Sequence, residues 1–158
     1  MVPACATEQA ALRKNPAAFR GQSACGSKAF STGRQLIARA MRAASSVLLL
    51  QTLAEFSNVA IRKARIPVED VRRIIEAWCA VLPVQAADDS DLIVALQTVR
   101  EHRLAFWDAM LWASAQRAGV RHLLSEDFQD GLALQGVTFV NPFDPKNDRL
   151  IDDVLPQS

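Results

Sequence analysis

The sequence predicts an α/β fold with a mostly parallel sheet, and three observations support this. From residue 47 onward, short apolar runs alternate with segments of helical periodicity. The first apolar run, VLLLQ at 47–51, is continuous, as in a strand that is buried on both faces. The chain has 158 residues, 50% of them hydrophobic and 22% charged, which is enough for one domain with a substantial core.

The individual elements follow from the spacing of the apolar residues. Strands are predicted where apolar residues stand close together: 47–51, 81–85, 120–125 and 136–143. Helices are predicted where apolar side chains recur every three or four residues: 31–45, 52–65, 68–82, 88–100 and 104–118. Gly119 is the expected C-terminal cap of the last helix, and the polar residues after Phe143 are expected to form a loose tail.

Capping and burial can also be predicted for some side chains. Thr52 is expected to cap its helix, with Glu55 three residues later as its capping-box partner. Two groups of apolar side chains are expected to face the core. One is the inner stripe of the 88–100 helix: Leu92, Ile93 and Leu96. The other consists of tryptophans with aliphatic neighbours, expected in the core rather than stacked on RNA: Trp78, Trp107 and Trp112.

The N-terminal part of the chain differs from the rest. Residues 1–46 carry seven Lys or Arg and a single acid, Glu8, whereas the remainder carries 11 basic and 16 acidic residues. Such a basic block is compatible with nucleic-acid binding and equally with a solvated surface. No strand pattern is visible before residue 31, although an α/β domain usually begins with a strand.

The sequence also predicts where the protein resides. No apolar run approaches the roughly 18 residues of a membrane span. The first residues lack the apolar core of a signal peptide, so a cytoplasmic protein without membrane contact is expected. A small-molecule α/β enzyme is disfavoured, because the sequence contains no glycine-rich phosphate loop and no GxSxG element.

Three acids are predicted to lie at one edge of the sheet. Glu55 follows the strand at 47–51, and Asp127 follows the strand at 120–125 within the stretch LLSEDFQDG. Asp108 lies in the first turns of the helix that precedes the second of these strands. Ligands of open parallel sheets bind beyond the carboxyl ends of the strands. Clustered carboxylates without His or Cys are typical ligands of Mg²⁺ or Mn²⁺.

Each of these acids also has an ordinary structural explanation. Glu55 and Asp108 near helix starts interact favourably with the helix dipole, by about 0.5 kcal/mol each. Asp127 suits a turn. Asp108 is the hardest to explain in this way, because its segment is otherwise apolar and an isolated buried charge is very costly. A divalent cation would supply the partner that this carboxylate needs.

Four segments together resemble the PIN-domain family, and within it the VapC-type toxins of bacterial toxin–antitoxin systems. They occur in the family's order and spacing: LQTLAEFSNVAIRK, FWDAMLWASAQRAG, LLSEDFQDG and GVTFVNPF. The resemblance implies a three-layer α/β/α sandwich and a Mg²⁺- or Mn²⁺-dependent endoribonuclease, the toxin of a type II system. It also implies an RNA substrate, a small antitoxin as a partner, and a homodimer as a common assembly.

The resemblance further implies roles for individual acids. Glu55 corresponds to the family's helix-borne Glu, Asp108 to the Asp of its Trp-Asp-Ala motif, and Asp127 to the acid after its penultimate strand. All three are therefore expected to be catalytic residues and metal ligands. Glu126 and Asp130 are neighbours that are expected to assist through water-mediated contacts.

The N-terminus departs from the family pattern. Family members begin with an apolar strand that ends in an Asp, a central metal ligand, whereas this chain has no Asp before Asp70. A lost or altered first strand is therefore predicted, with a frameshift or a misassigned start as its hypothetical origin. The expected parts are an atypical basic segment, a PIN-like domain and a polar tail: 1–27, 28–143 and 144–158. The alternative function is a catalytically decayed PIN-like module that binds RNA or a protein partner.

Overall fold

The computed structural model describes residues 7–10, 35–43 and 46–155, with side chains described from residue 35 onward. These residues form a mixed α/β protein. Its helices are α1 at residues 35–42, α2 (Leu50–Arg62), α3 (Val68–Cys79), α4 (Asp89–His102), α5 (Phe106–Arg117) and α6 (Asp148–Val154). Its strands are β1 (Thr7–Ala10), β2 (Leu48–Leu49), β3 (Val84–Gln85), β4 (Val120–Leu124), β5 (Ala133–Leu134) and β6 (Val137–Val140).

The strand pairing is mostly parallel, as the sequence predicts. β1 pairs with β4, β4 with β6, and β2 with β3, all in parallel. Among the strands that the structure describes, only the short β5 runs antiparallel to its neighbour, β6. β2 and β3 form a separate two-stranded sheet, and β2 contacts β1 without pairing with it. The predicted α/β class with a mostly parallel sheet is therefore confirmed.

β1 differs from the sequence-based expectation, which placed no strand in residues 1–27. Its residues, TEQA, contain no apolar run, so periodicity could not identify them. The strand instead follows from its pairing with β4, in which Gln9 is in register with Leu123 and Ala10 with Leu124. The rest of the predicted 1–27 segment, and the start of the predicted 31–45 helix, lie outside the described residues.

The main core lies between α5 and the strands β4 and β6. Trp112, Leu123 and Phe139 are completely buried there. The indole Nε1–H of Trp112 donates to the carbonyl of Leu134 at 3.2 Å, so this polar atom keeps a partner inside the core. Phe128 stacks on Phe139 with ring centroids 4.1 Å apart. This packing holds the residues after β4 against the sheet.

The expectation of a loose tail after Phe143 is wrong for the described residues. α6 buries Ile151 and Leu155 against Leu124 and Val140 at the ends of β4 and β6. The Arg39 guanidinium on α1 donates hydrogen bonds to the carbonyls of Ile151 and Leu155 at the end of α6. The sequence signal was weak because only two strongly buried apolar residues lie in an acidic segment.

The prediction for α4 is also wrong at its apolar stripe. Ile93 and Leu96 are 65% and 52% exposed, and Leu92 is exposed as well. The buried face of α4 instead carries Asp91, Ala95 and Thr98. Small Ala95 allows α4 to pack on α5, and the buried carboxylate of Asp91 is matched by an arginine of α5. No described helix is both long and apolar enough to cross a membrane.

Candidate functional site

Glu55 is positioned by the direct succession of β2 and α2. The helix begins at Leu50 immediately after the strand, so Glu55 lies in its second turn rather than in its first. Thr52 is buried and does not cap the helix; the N-cap residue is Leu49, without a side-chain hydrogen bond. The helix is held to the protein by its buried face, which includes Leu53. Glu55 lies half-buried beside that face.

Gln51 connects Glu55 to the start of α5. The Gln51 Nε2 amide donates to Glu55 Oε1 at 3.0 Å and to the backbone carbonyl of Trp107 at 3.0 Å. One side chain therefore spans the gap between the Glu55 carboxylate and the residue next to Asp108. The sequence places these acids 53 positions apart, and this amide is the contact that brings their neighbourhoods together.

Asp108 lies in the first turn of α5 and is half-buried. This helix begins without a side-chain cap on Ala105. Its first-turn N–H groups form the positive end of the helix dipole, which favours a carboxylate at this position. The next residue, Ala109, is completely buried, so the turn that carries Asp108 is fixed by the core.

Asp127 is positioned by a turn that starts at the end of β4. Ser125 is buried, and its backbone N–H donates to the carbonyl of Val140 at 2.9 Å. The Ser125 hydroxyl oxygen accepts a hydrogen bond from the Asp127 N–H at 3.2 Å, an ST-type turn. Asp127 is exposed just past the carboxyl end of the strand. The end of β4 and the Ser125 hydroxyl therefore fix the position of Asp127.

Glu126 shares a negative environment with its neighbour. Partial burial raises the pKa of the Glu126 carboxyl above its ordinary value, and the negative charge of Asp127 raises this pKa further. A carboxylate pair of this kind attracts cations and protons to the turn. Glu126 thus stays a candidate for assisting Asp127.

Asp130 is engaged in holding the next loop. Its Oδ1 accepts hydrogen bonds from the Asn141 N–H at 2.6 Å and from the Asn147 side-chain amide at 2.7 Å. Its Oδ2 lies 2.9 Å from the Lys146 ammonium. The Asn141 N–H and the Lys146 contact lower the pKa of this carboxyl. Asp130 therefore acts as the anchor of the segment after β6, which explains its presence without a metal.

The acids do not form a compact cluster within the described ranges. No group of three or more His, Cys, Asp or Glu side chains there is placed to hold one metal ion. The donor set still has the chemistry of a Mg²⁺ site, because Mg²⁺ takes one or two carboxylates and completes its shell with water and substrate phosphates. The ring of Glu55, Asp108 and Asp127 around one cation stays a prediction.

A cavity elsewhere in the fold does not involve these acids. It has a volume of about 20 Å³, room for a single water, and lies between α1, β2, α2 and α3. Its walls are mainly apolar and include Phe56, Trp78 and Leu82. None of the three acids lines this cavity: Glu55 and Asp108 are half-buried, and Asp127 is exposed.

Two residues of this region were missed or misread in the sequence. Gln51 could have been found from its position four residues before Glu55, which puts both side chains on one face of α2. Trp107 was expected in the core, but its side chain is 64% exposed, whereas Trp112 is completely buried. The two indoles are five positions apart and therefore point about 140° apart around α5.

Comparisons with known proteins add no assignment. No protein-family model matches this chain, and no curated protein matches it.

Proposed function

We propose that this chain is a PIN-type endoribonuclease that uses Mg²⁺ or Mn²⁺ and acts as the toxin of a type II toxin–antitoxin system. Its proposed architecture is the three-layer α/β/α sandwich of that family. Its proposed substrate is single-stranded RNA, and a small antitoxin and a second copy of the chain are its proposed partners. The proposal rests on the residues of four sequence segments and on the placement of three acids.

The observation that carries the proposal is the position of the acids relative to the parallel strands. Glu55 stands on the helix that directly follows β2, and Asp127 stands directly after β4. β1 pairs with β4 and also contacts β2, so both acids follow strands that neighbour β1. Ligands of open α/β sheets bind beyond the carboxyl ends of such parallel strands. Gln51 links Glu55 to the start of α5, where Asp108 lies.

The proposal assigns a role to each of the acidic residues. Glu55, Asp108 and Asp127 would supply the carboxylate oxygens that hold the metal and, through it, orient the RNA phosphate. Glu126, whose pKa is raised by burial and by the charge of Asp127, would take up a proton more readily than an ordinary glutamate and could exchange one beside the metal site. A metal bound there would supply an activated water and offset the charge that develops on the phosphate.

The proposal is tested by RNA cleavage in the presence of Mg²⁺ or Mn²⁺. Asp108→Asn and Asp127→Asn are each expected to lower the cleavage rate at least about a hundred-fold, because both remove a metal ligand without changing side-chain volume. Asp89→Asn, which neutralises an exposed acid on α4, is the matched control and is expected to keep full activity. Equal rates in all four proteins would refute the assignment to this site.

The second candidate function is a catalytically decayed module that binds RNA or a protein partner. Two observations favour it. β1 ends at Ala10, where the family carries an Asp, and the described residues contain no group of three metal-binding side chains. A rise in melting temperature with Mn²⁺ that disappears in Asp108→Asn, together with RNA binding but no cleavage, would support this function over the first.

A further inference from the structure

Trp107 is a large aromatic side chain on the surface. Its indole is 64% exposed, and its neighbour Phe106 is 36% exposed. The two rings contact edge to face, with centroids 5.2 Å apart and an interplanar angle of 69°. The core of α5 is made by other residues, among them Trp112 and Leu111. The Trp107 ring therefore has a free stacking face and contributes little to the core.

The Trp107 backbone is held next to the acids. Its carbonyl accepts a hydrogen bond from Gln51 Nε2, and the same amide binds the Glu55 carboxylate, each at 3.0 Å. Asp108 follows directly in the same helical turn. An aromatic platform thus stands at the edge of the proposed metal site, on a helix rather than on a loop, so its position is well defined.

A polar stripe on α2 continues from this point across the surface. Gln51, Glu55, Asn58 and Arg62 are spaced by four, three and four residues, so they lie on one face of the helix. Asn58 and Arg62 are exposed. Arg62 lies about 10 Å beyond Glu55 along the helix axis. Along α2, Glu55 therefore lies between Gln51, which binds the Trp107 carbonyl, and the exposed Arg62.

We propose that Trp107 is the platform on which one base of a single-stranded RNA stacks, while Arg62 contacts a backbone phosphate beyond the acids. Single-stranded nucleic acids are bound by this combination of aromatic faces and positive charges. The stacking tolerates all four bases, because each has a π face. The residues that adjoin the Trp107 backbone, Gln51 and Asp108, are polar, and Arg62 adds positive charge on the same stripe as Gln51, which favours RNA over the apolar centre of a protein interface.

This inference rests on the proposed function, and its test therefore measures binding rather than cleavage. The probe is a fluorescent 2′-O-methyl oligoadenylate of about ten nucleotides, which resists cleavage, in buffer with Mg²⁺. The comparison probe has the same backbone but no bases. Trp107→Ala is expected to weaken binding of the oligoadenylate about ten-fold and to leave binding of the abasic probe unchanged. Trp107→Phe keeps an aromatic ring and is expected to lose less.

Two further measurements separate stacking from general damage. The oligoadenylate is expected to quench part of the tryptophan emission of the wild type, because Trp107 is exposed. The tryptophan emission of Trp107→Phe is expected to stay unquenched. Arg62→Ala is expected to weaken both probes alike and to reduce the salt dependence of binding by about one unit of slope. Ile93→Ala and Arg100→Ala remove an exposed apolar and an exposed basic side chain on α4 and are the matched controls, expected to bind like the wild type.

The outcomes distinguish this inference from the proposed function. If Trp107→Ala loses both probes to the same extent, or neither, base stacking on Trp107 is overturned while RNA binding by the protein stands. If RNA affinity is unchanged but sedimentation shows that Trp107→Ala abolishes self-association, the platform is a protein contact and the inference is overturned. If the wild type binds neither probe, the proposed function fails together with it.

Discussion

The pair formed by Asp91 and Arg117 should dominate the stability of the contact between α4 and α5. Asp91 is only 2% exposed, and its two carboxylate oxygens each lie 2.9 Å from a different nitrogen of the Arg117 guanidinium. Asp91 also accepts hydrogen bonds from the Asp88 N–H at 3.0 Å and from the Ser114 hydroxyl at 3.2 Å. This buried carboxylate therefore accepts four hydrogen bonds, three of them at Oδ2.

The two halves of the pair are expected to respond differently to mutation. Arg117→Ala leaves a charged carboxylate buried without its main partner, and such a change costs about 3 kcal/mol or more. Asp91→Asn leaves a guanidinium that is 37% exposed and still bonded to the Ala86 carbonyl, so water and that carbonyl reduce the loss to about 1–2 kcal/mol. The arginine variant should be the less stable of the two.

The loss of stability in Arg117→Ala should also depend on pH. Burial, the largest influence, raises the pKa of Asp91, but the hydrogen bonds from Arg117 and the Asp88 N–H outweigh it, so the net pKa is lowered. A lowered pKa stabilises the fold above the unfolded value of about 3.9 and loses this effect as pH falls through the folded value. Without Arg117, burial dominates and the pKa rises. The deficit of Arg117→Ala is thus expected to be full at pH 7 and to shrink towards pH 3.

Urea unfolding followed by circular dichroism, repeated between pH 3 and pH 7, measures these effects. For a chain of this size, 3 kcal/mol corresponds to a fall of about 6–12 °C in melting temperature. Arg100→Ala is the matched control: this arginine is 77% exposed in its contact with Glu101 and should matter by less than about 0.5 kcal/mol. The reasoning is refuted if Asp91→Asn is the more damaging change, or if the deficit of Arg117→Ala is constant across this pH range.

Other predictions concern the C-terminal helix and the loop after β6. Leu155→Ala should lower the free energy of unfolding by about 2–5 kcal/mol, because this side chain is completely buried. Val154 is half-buried, so Val154→Ala should lower this free energy clearly less. Equal losses in urea unfolding would contradict the packing of α6. Arg39→Ala should lower the free energy of unfolding by about 1–2 kcal/mol, because it removes the hydrogen bonds to the carbonyls at the end of α6. Asp152→Asn changes a surface position and should lower it by less than about 0.5 kcal/mol. The reverse order would show that the ion pair matters more than the hydrogen bonds to the carbonyls. Asp130→Ala should lower the melting temperature by several degrees, because it leaves the Asn141 N–H without its acceptor. A melting temperature equal to that of the wild type would make Asp130 a candidate for the metal site again.

The sequence was sufficient for the elements whose burial repeats regularly. Most residues of β4 and β6 are apolar and buried, so these strands could be predicted from the sequence without knowing their neighbours. α5 was predicted from the helical spacing of its apolar residues. The position of Asp127 followed as well, because a residue directly after a strand must lie at the carboxyl end of that strand.

Only the tertiary structure could decide features that depend on partners distant in the chain. β1 has no apolar pattern of its own and exists through its pairing with β4, more than a hundred residues away. On α4 the apolar stripe faces solvent because the buried carboxylate of Asp91 meets Arg117, and that pair orients the helix. The link from Glu55 to α5 through Gln51 joins residues of two separate helices. Local spacing records which side chains share a face of an element, whereas the packing of elements against one another determines which face is buried.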